Sequence, residues 1–434
     1  MNTEIHSIPL NSLEKFMLAH ESEAVSYNSQ IAIEYISIDD HAKLIRAIDQ
    51  VISEVPLLRS FITITTFSFK RMYKDVADFS ATELVSITDQ VLTRDELDKF
   101  CNKKFDLTKS PPLRFSLSKT AENKNLLIFN VHHTLCDAAG QFHLLEEIFR
   151  IMNNIPIRDG ARTDEVFRYR SLWKFMGMKW FLKNAWENTR PLSGQRKYKM
   201  ASLIDDPSVQ ERLPTTLTFF LNEREQGIIR TACKGREISI TEYLTYCCFK
   251  AMDKSLKRRN DLTTPIMVYL PKTLRPLLKI RYSLQNMLTT VWIVGKRDEI
   301  YGDKFPGKVK HIINSHKMDK AAKFIFGTLA ACSVMRPKKL QKIFRAMDVD
   351  QESSTSSLVI SAGRVPKSFT FPETWKDIGV WARGTMLKSP GVGVIFTGVT
   401  GNESISLTYL KNMTTDKTML QFKTDLMNEL LQIN

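Results

Sequence analysis

The stretch NLLIFNVHHTLCDAAGQFHLLEEIF, Asn125 to Phe149, restricts the fold more than any other part of this 434-residue chain. Leu126, Leu127, Ile128, Phe129 and Val131 form a short apolar run, which at this length predicts a strand buried on both faces. The run stops on two neighbouring histidines. Phe142, Leu144, Leu145, Ile148 and Phe149 then recur at helical spacing, so a helix follows. Asp137 is placed to cap it, and Gly140 allows close packing in its first turn. His132 and His133 therefore stand at a strand-to-helix junction. Successive strand residues point to opposite faces, so one ring can face a cavity while the other braces it.

A histidine at a strand end is most often a hydrogen-bonded structural residue. Two histidines and an aspartate could also make a three-ligand metal site. Adjacent strand histidines diverge, however, and only His143 is near, so no metal is expected.

The rest of the first half reads as a mixed α/β unit, with a strand over 27–38, a helix over 40–53 that aligns Leu44, Ile45, Ile48 and Val51, and a strand over 58–64. A second lobe begins near Pro214. It carries a strand over 215–220, helices over 223–233 and 241–254, strands over 265–270, 288–294 and 392–399, and a closing helix over 416–431. The expected division is an N-terminal lobe over 1–168, an amphipathic linker over 169–213 and a C-terminal lobe over 214–434. In the linker, Phe175, Met178, Phe181, Leu182 and Ala185 share one helical face and Lys179, Lys183, Glu187 and Arg190 another, with three tryptophans in the same stretch. It reads either as a helix packed on its own lobes or as an element that touches a membrane or lines the entrance for a greasy substrate.

Composition narrows the function. With 43% hydrophobic residues the chain can bury one large core or two medium ones. The six cysteines lie in mostly apolar surroundings without CxxC spacing, which predicts buried thiols rather than a disulfide or zinc framework. Cys136 lies inside the histidine segment and is expected to pack beside the helix start rather than act as a nucleophile. The N-terminus lacks the pattern of a signal peptide, and no window is apolar enough for a membrane span, so a cytoplasmic protein is expected. A net charge of +15 calls for an anionic partner: a phosphorylated cofactor, an acidic carrier protein or an anionic membrane surface. No nucleic-acid module is visible, and no nucleic acid is expected.

His132-His133-Thr134-Leu135-Cys136-Asp137 resembles the HHxxxD signature of the condensation-domain and chloramphenicol acetyltransferase superfamily, which includes wax-ester synthases, alcohol acetyltransferases and polyketide-associated acyltransferases. Ordered segments around it strengthen the likeness. They are Val55-Pro56-Leu57-Leu58-Arg59, Phe105-Asp106-Leu107 followed by Pro111-Pro112-Leu113-Arg114, and Leu274-Arg275-Pro276, with Asn286 where the family has a Gly-Asn pair. The chain departs from the pattern at Ala138 and Gln285, both usually glycine, and at Ile360-Ser361-Ala362-Gly363, a shortened form of a family segment. No DFGWG-like segment is present, which disfavours the plant acyltransferase branch.

The resemblance implies an α/β (α+β) fold of two chloramphenicol acetyltransferase-like lobes, a V-shaped pseudo-dimer with a central tunnel. It also implies acyl transfer from a coenzyme A or carrier-protein thioester to a hydroxyl or amine, without a covalent intermediate. His133 would be the general base, since imidazole suits proton transfer near neutral pH. His132 would support it, and Asp137 would pair with Arg275 from the second lobe and hold the loop in shape, with Gly140 and Asn286 as further structural support. No permanently bound cofactor is implied: acyl-CoA or a phosphopantetheinyl acyl carrier is the co-substrate, and the acceptor is a lipophilic or natural-product molecule. An ester product is favoured. The alternatives are a free-standing peptide-type condensation enzyme forming an amide, and a non-catalytic binding module of the same fold.

Overall fold

The computed structural model describes residues 5–8, 10–22, 25–37, 41–74, 80–109, 111–162, 200–209, 211–263, 265–315, 332, 335–349, 356–366, 369–387 and 389–432. Residues 163–199, which hold most of the amphipathic segment expected over 169–213, lie outside them.

The apolar run of the histidine segment becomes strand β7 (Asn125–His132), and every residue of it is buried. It lies at the centre of a five-stranded sheet, ordered β12-β2-β7-β6-β5, between β2 (Asn28–Ile36) and β6 (Leu113–Lys119), antiparallel to both. Leu127, Phe129 and Val131 pack against helices α2 (His41–Glu54) and α5 (Ala138–Met152). Leu126 and Ile128, on the opposite face, meet Cys101, Trp381 and the apolar side of α4 (Arg94–Asn102). Two covered faces explain why the run shows no polar alternation. The edges of the sheet are β5 (Val85–Val91) and β12 (Lys376–Arg383), the latter supplied by the far end of the chain.

The second lobe is built on a six-stranded sheet ordered β10-β9-β11-β13-β14-β8. Its strands are β8 (Pro214–Phe220), β9 (Ile266–Thr273), β10 (Leu288–Gly295), β11 (Leu358–Arg364), β13 (Val392–Val399) and β14 (Asn402–Leu410). Helices α7 (Glu223–Gly235), α8 (Ile240–Arg258), α9 (Phe305–Asn314) and α11 (Asp416–Leu430) bury one face of it. A small sheet of β1 (Ile5–Ile8), β3 (Ser60–Ile64) and β4 (Phe69–Lys74) sits near helices α1 (Ser12–His20) and α10 (Pro337–Val349). Two single turns, α3 (Ala81–Leu84) and α6 (Asp159–Arg162), and a 3-10 turn over Pro56–Arg59 complete the helices described.

The lobes are joined by side chains as well as by β12. Arg383 pairs with Asp98 of α4 at 2.7 Å, and Arg94 donates to Asp416 at 2.7 Å and to the Thr215 hydroxyl at 3.0 Å. Among the described residues no helix is long and apolar enough to cross a membrane, and no group of three His, Cys, Asp or Glu side chains could hold a metal ion.

Candidate active site

Strand β7 ends on His132, and the chain then turns once before α5 begins. The His132 ring is fully buried. Its Nδ1 lies 3.3 Å from the backbone N–H of Thr134, which can only donate, so Nδ1 accepts; the Thr134 hydroxyl is 2.8 Å away on the same side. Nε2 then carries the hydrogen and donates to the Glu21 carboxylate at 3.0 Å. With both nitrogens engaged inside the protein, His132 braces the turn.

His133 is held differently. Its backbone N–H donates to the Tyr27 carbonyl at 2.7 Å, and the Asn286 side chain brackets the residue from the second lobe. The Asn286 Nδ2 group donates to the His133 carbonyl at 2.6 Å, and a carbonyl can only accept, so this contact fixes which way the amide faces. Asn286 Oδ1 is then the atom 3.1 Å from His133 Nδ1, which must donate. The lone pair is left on Nε2, for which no hydrogen bond occurs among the described residues. Burial lowers the His133 pKa from its ordinary value of 6.5, although Asp137, its own backbone and Asn286 all act to raise it.

Asp137 is the N-cap of α5. One oxygen accepts from the Gly140 N–H at 2.9 Å, and the other accepts from the Met287 N–H at 2.8 Å and from Arg275 Nη1 at 2.7 Å. Burial would raise this carboxyl. The Arg275 charge and its hydrogen bond, with the two backbone donors, outweigh it and hold the group below the ordinary carboxylate value. Arg275 also donates to the Thr273 hydroxyl at 3.2 Å and to the carbonyls of Ser283 and Gln285 at 2.9 and 2.8 Å. The pair is therefore not the two-pronged contact available to these side chains: one nitrogen meets one oxygen, and Nη1 and Nη2 tie the 273–287 loop.

Gly140 lies where that loop crosses the first turn of α5. A Cβ there would sit 2.7 Å from Cys136 Cβ and 3.0 Å from the Leu284 carbonyl oxygen. The backbone cannot yield without moving Asn286, two residues on. Gly140→Ala is expected to destabilise the fold by roughly 1–3 kcal/mol through overpacking, which denaturant unfolding would read; a variant as stable as the parent would contradict this account.

The sequence reading named six residues at this site, and the structure brings all six together. It also adds partners that reading missed: Glu21 and Thr134 on His132, and Arg71, fully buried, whose Nη2 donates to the Thr134 carbonyl at 2.7 Å. Arg71 lies 63 residues before Thr134, and no local pattern marks such a contact. Gln285, at a position where the family usually has glycine, is buried beside Asn286, and its side-chain amide has no hydrogen-bond partner among the described residues. His143 touches Tyr282 and lies near Glu146. Cys136 is buried, and burial pushes its thiol well above the ordinary value, so it holds too little thiolate near neutral pH to serve as a nucleophile.

Comparison with known proteins bears on the fold that carries this arrangement. Residues 6–173 match the Condensation domain family model. The first condensation domain of the CDA synthetase superposes with a TM-score of 0.68 at 14% identity, covering 98% of this chain and 97% of that one. The epimerization domain from the third module of tyrocidine synthetase B gives 0.67 at 13% identity, covering 99% and 97%. Bacitracin synthase 1 of Bacillus licheniformis is 33% identical over 75 residues, which are 17% of this chain and 1% of that protein. The chain spans between 1% and 5% of the length of the curated relatives it matches. The fold is thus that of condensation domains, two chloramphenicol acetyltransferase-like lobes, and the superfamily resemblance carried by the HHxxxD segment holds.

Proposed function

We propose that this chain is an acyl-transfer enzyme of the condensation type, which moves an acyl group from a carrier-held thioester to an amine and so forms an amide. The observation that carries the reading is the Asn286 bracket, which directs a free imidazole lone pair away from both lobes' own hydrogen bonds. His133 Nε2 takes the proton from the acceptor nitrogen as that nitrogen attacks the thioester carbonyl. The tetrahedral intermediate then collapses, the carbon–sulfur bond breaks, and the imidazolium returns the proton to the departing thiolate. His132 and Asp137 keep the turn in shape on either side of the base.

The sequence-based expectation favoured a hydroxyl acceptor. The structural likeness to part of a four-domain nonribosomal peptide synthetase supports an amine instead. The test is thiol release from aminoacyl pantetheine thioesters supplied with matched amine and alcohol acceptors. Release and amide product with amines alone would support the proposal; esters alone would return the reading to hydroxyl acylation, and release that needs no acceptor would overturn it.

Asn286→Ala removes the group that keeps hydrogen on Nδ1, so both ring tautomers become available. The tautomer with hydrogen on Nε2 cannot take the proton, so kcat is expected to fall in steady-state assays, by at most the roughly 10²–10⁴-fold that general-base catalysis contributes. An unchanged kcat would mean that the His133 carbonyl alone orients the ring.

A further inference from the structure

We propose that the hairpin of β3 and β4, together with the start of α10, is a docking surface for an anionic lipid bilayer. The proposal goes beyond the acyl-transfer reading and does not depend on it. A net charge of +15 calls for an anionic partner, and Arg275, the cation at the histidine turn, is already paired with Asp137.

Strand alternation supplies the apolar part. Ile62 and Phe69 pack with Leu340 of α10 in one buried cluster, so one face of the hairpin lies on that helix. Ile64 continues the same face two residues beyond Ile62, where cover ends, and is 51% exposed. Phe67 stands at the tip and is 70% exposed. The Thr65 N–H donates to the Ser68 carbonyl at 2.9 Å and the Ser68 N–H to the Thr65 hydroxyl at 3.0 Å, which fixes the turn that presents the ring.

Helical spacing supplies the charge. The Arg336 guanidinium lies 5.0 Å from the centre of the Phe67 ring, and the Arg336 carbonyl accepts from the Leu340 N–H at 3.1 Å, so this residue continues the turn of α10. Lys339 and Ile343 follow on the Arg336 side of the helix, with Lys338 and Lys342 beside them. All four are exposed, Ile343 to 37%. Neither Arg336 nor any of these three lysines forms an ion pair among the described residues, and residues 60–74 and 335–344 contain no aspartate or glutamate. An exposed apolar patch rimmed by cations marks an interaction surface. A protein partner would need a pocket shaped to Phe67, whereas a bilayer takes a protruding ring into its headgroup boundary at any point, with the lysines against the phosphates. A hairpin tip therefore favours the bilayer.

Flotation of the whole chain with vesicles of phosphatidylcholine, with and without phosphatidylserine, tests the proposal. The unaltered protein should bind the anionic vesicles in low salt, ignore the neutral ones and be released by about 0.5 M salt. Each lysine near such a surface is worth roughly fivefold in partitioning, so Lys338→Gln, Lys339→Gln and Lys342→Gln together should weaken binding about a hundredfold. Phe67→Ser should weaken it at least about tenfold. Lys308→Gln, on α9 and paired with Glu299, should leave it unchanged. These variants should melt with the parent and keep thiol release from pantetheine thioesters. Phe67→Trp reports on the tip itself, and its emission should shift to the blue beyond that of the parent with anionic vesicles alone. The proposal is overturned if the unaltered chain ignores anionic vesicles in low salt, or if neither Phe67→Ser nor the lysine variant weakens its binding, since another segment would then be the anchor. It is equally overturned if vesicles are ignored and the same variants slow turnover with a carrier-borne thioester but not with a pantetheine one, which would make the patch a protein-docking surface. Absence of turnover in the unaltered protein would count against the acyl-transfer reading alone.

Discussion

Asp137→Ala is expected to cost the fold about 3–5 kcal/mol, because it strands the buried Arg275 charge without its counter-ion. The same change releases the Met287 and Gly140 N–H groups, so the second-lobe loop and the first turn of α5 lose their shared anchor. Denaturant unfolding of Asp137→Ala, Arg275→Met and the double variant would measure the coupling. The double variant should be less destabilised than the sum of the singles, since it leaves no orphaned charge. Strict additivity would show that the two groups act independently and would remove the ion pair from the account of this site.

His133→Ala should do the opposite, sparing stability and removing activity. General-base catalysis of this kind contributes about 10²–10⁴-fold, and turnover is expected to fall by that factor while the unfolding midpoint stays close to that of the parent. The pH profile supplies a second readout. The base works unprotonated, and burial lowers the His133 pKa, so the rate should rise through a pKa below 6.5 and level off above it. The stability effect has the same sign: the unfolded chain takes up a proton near pH 6.5 while the folded imidazole resists, so folding loses free energy as pH falls below that value. Retained turnover in His133→Ala would exclude this residue as the base, and a limb at or above 6.5 would show that burial does not set the direction of its pKa shift.

Ala138 shows why a departure from a family pattern has to be weighed in three dimensions. Glycine is usual there in the family pattern that the segment resembles. In the structure Ala138 is exposed at the first position of α5 and its backbone does not have positive φ. An alanine there is compatible with an ordinary helix start. Gly140 is the position where a side chain cannot enter.

Several elements could be read from local pattern alone. The strand over Asn125–His132, helix α5, helix α2 and the strands and helices around 214–273 follow from apolar periodicity, because each buries one stripe or both faces of a short segment. Strands β5 and β12 escaped that reading. Strand β5 is an edge strand with few buried positions, and β12 is completed only by pairing with β2, 349 residues earlier in sequence at the pair Trp381 and Ala32. At the site, the HHxxxD segment and Arg275 were legible as residue types at given spacings. The tautomer of His133, the opposite one of His132, and the contributions of Glu21 and Arg71 were not. A hydrogen bond depends on angles and distances between atoms, and these are set only when remote segments pack; the Asn286–His133 contact spans 153 residues. Sequence by itself determined which chemical groups are present and which strands and helices carry them, because those depend on neighbours along the chain. Tertiary structure alone decided which nitrogen keeps its lone pair, because that choice belongs to an amide from the other lobe.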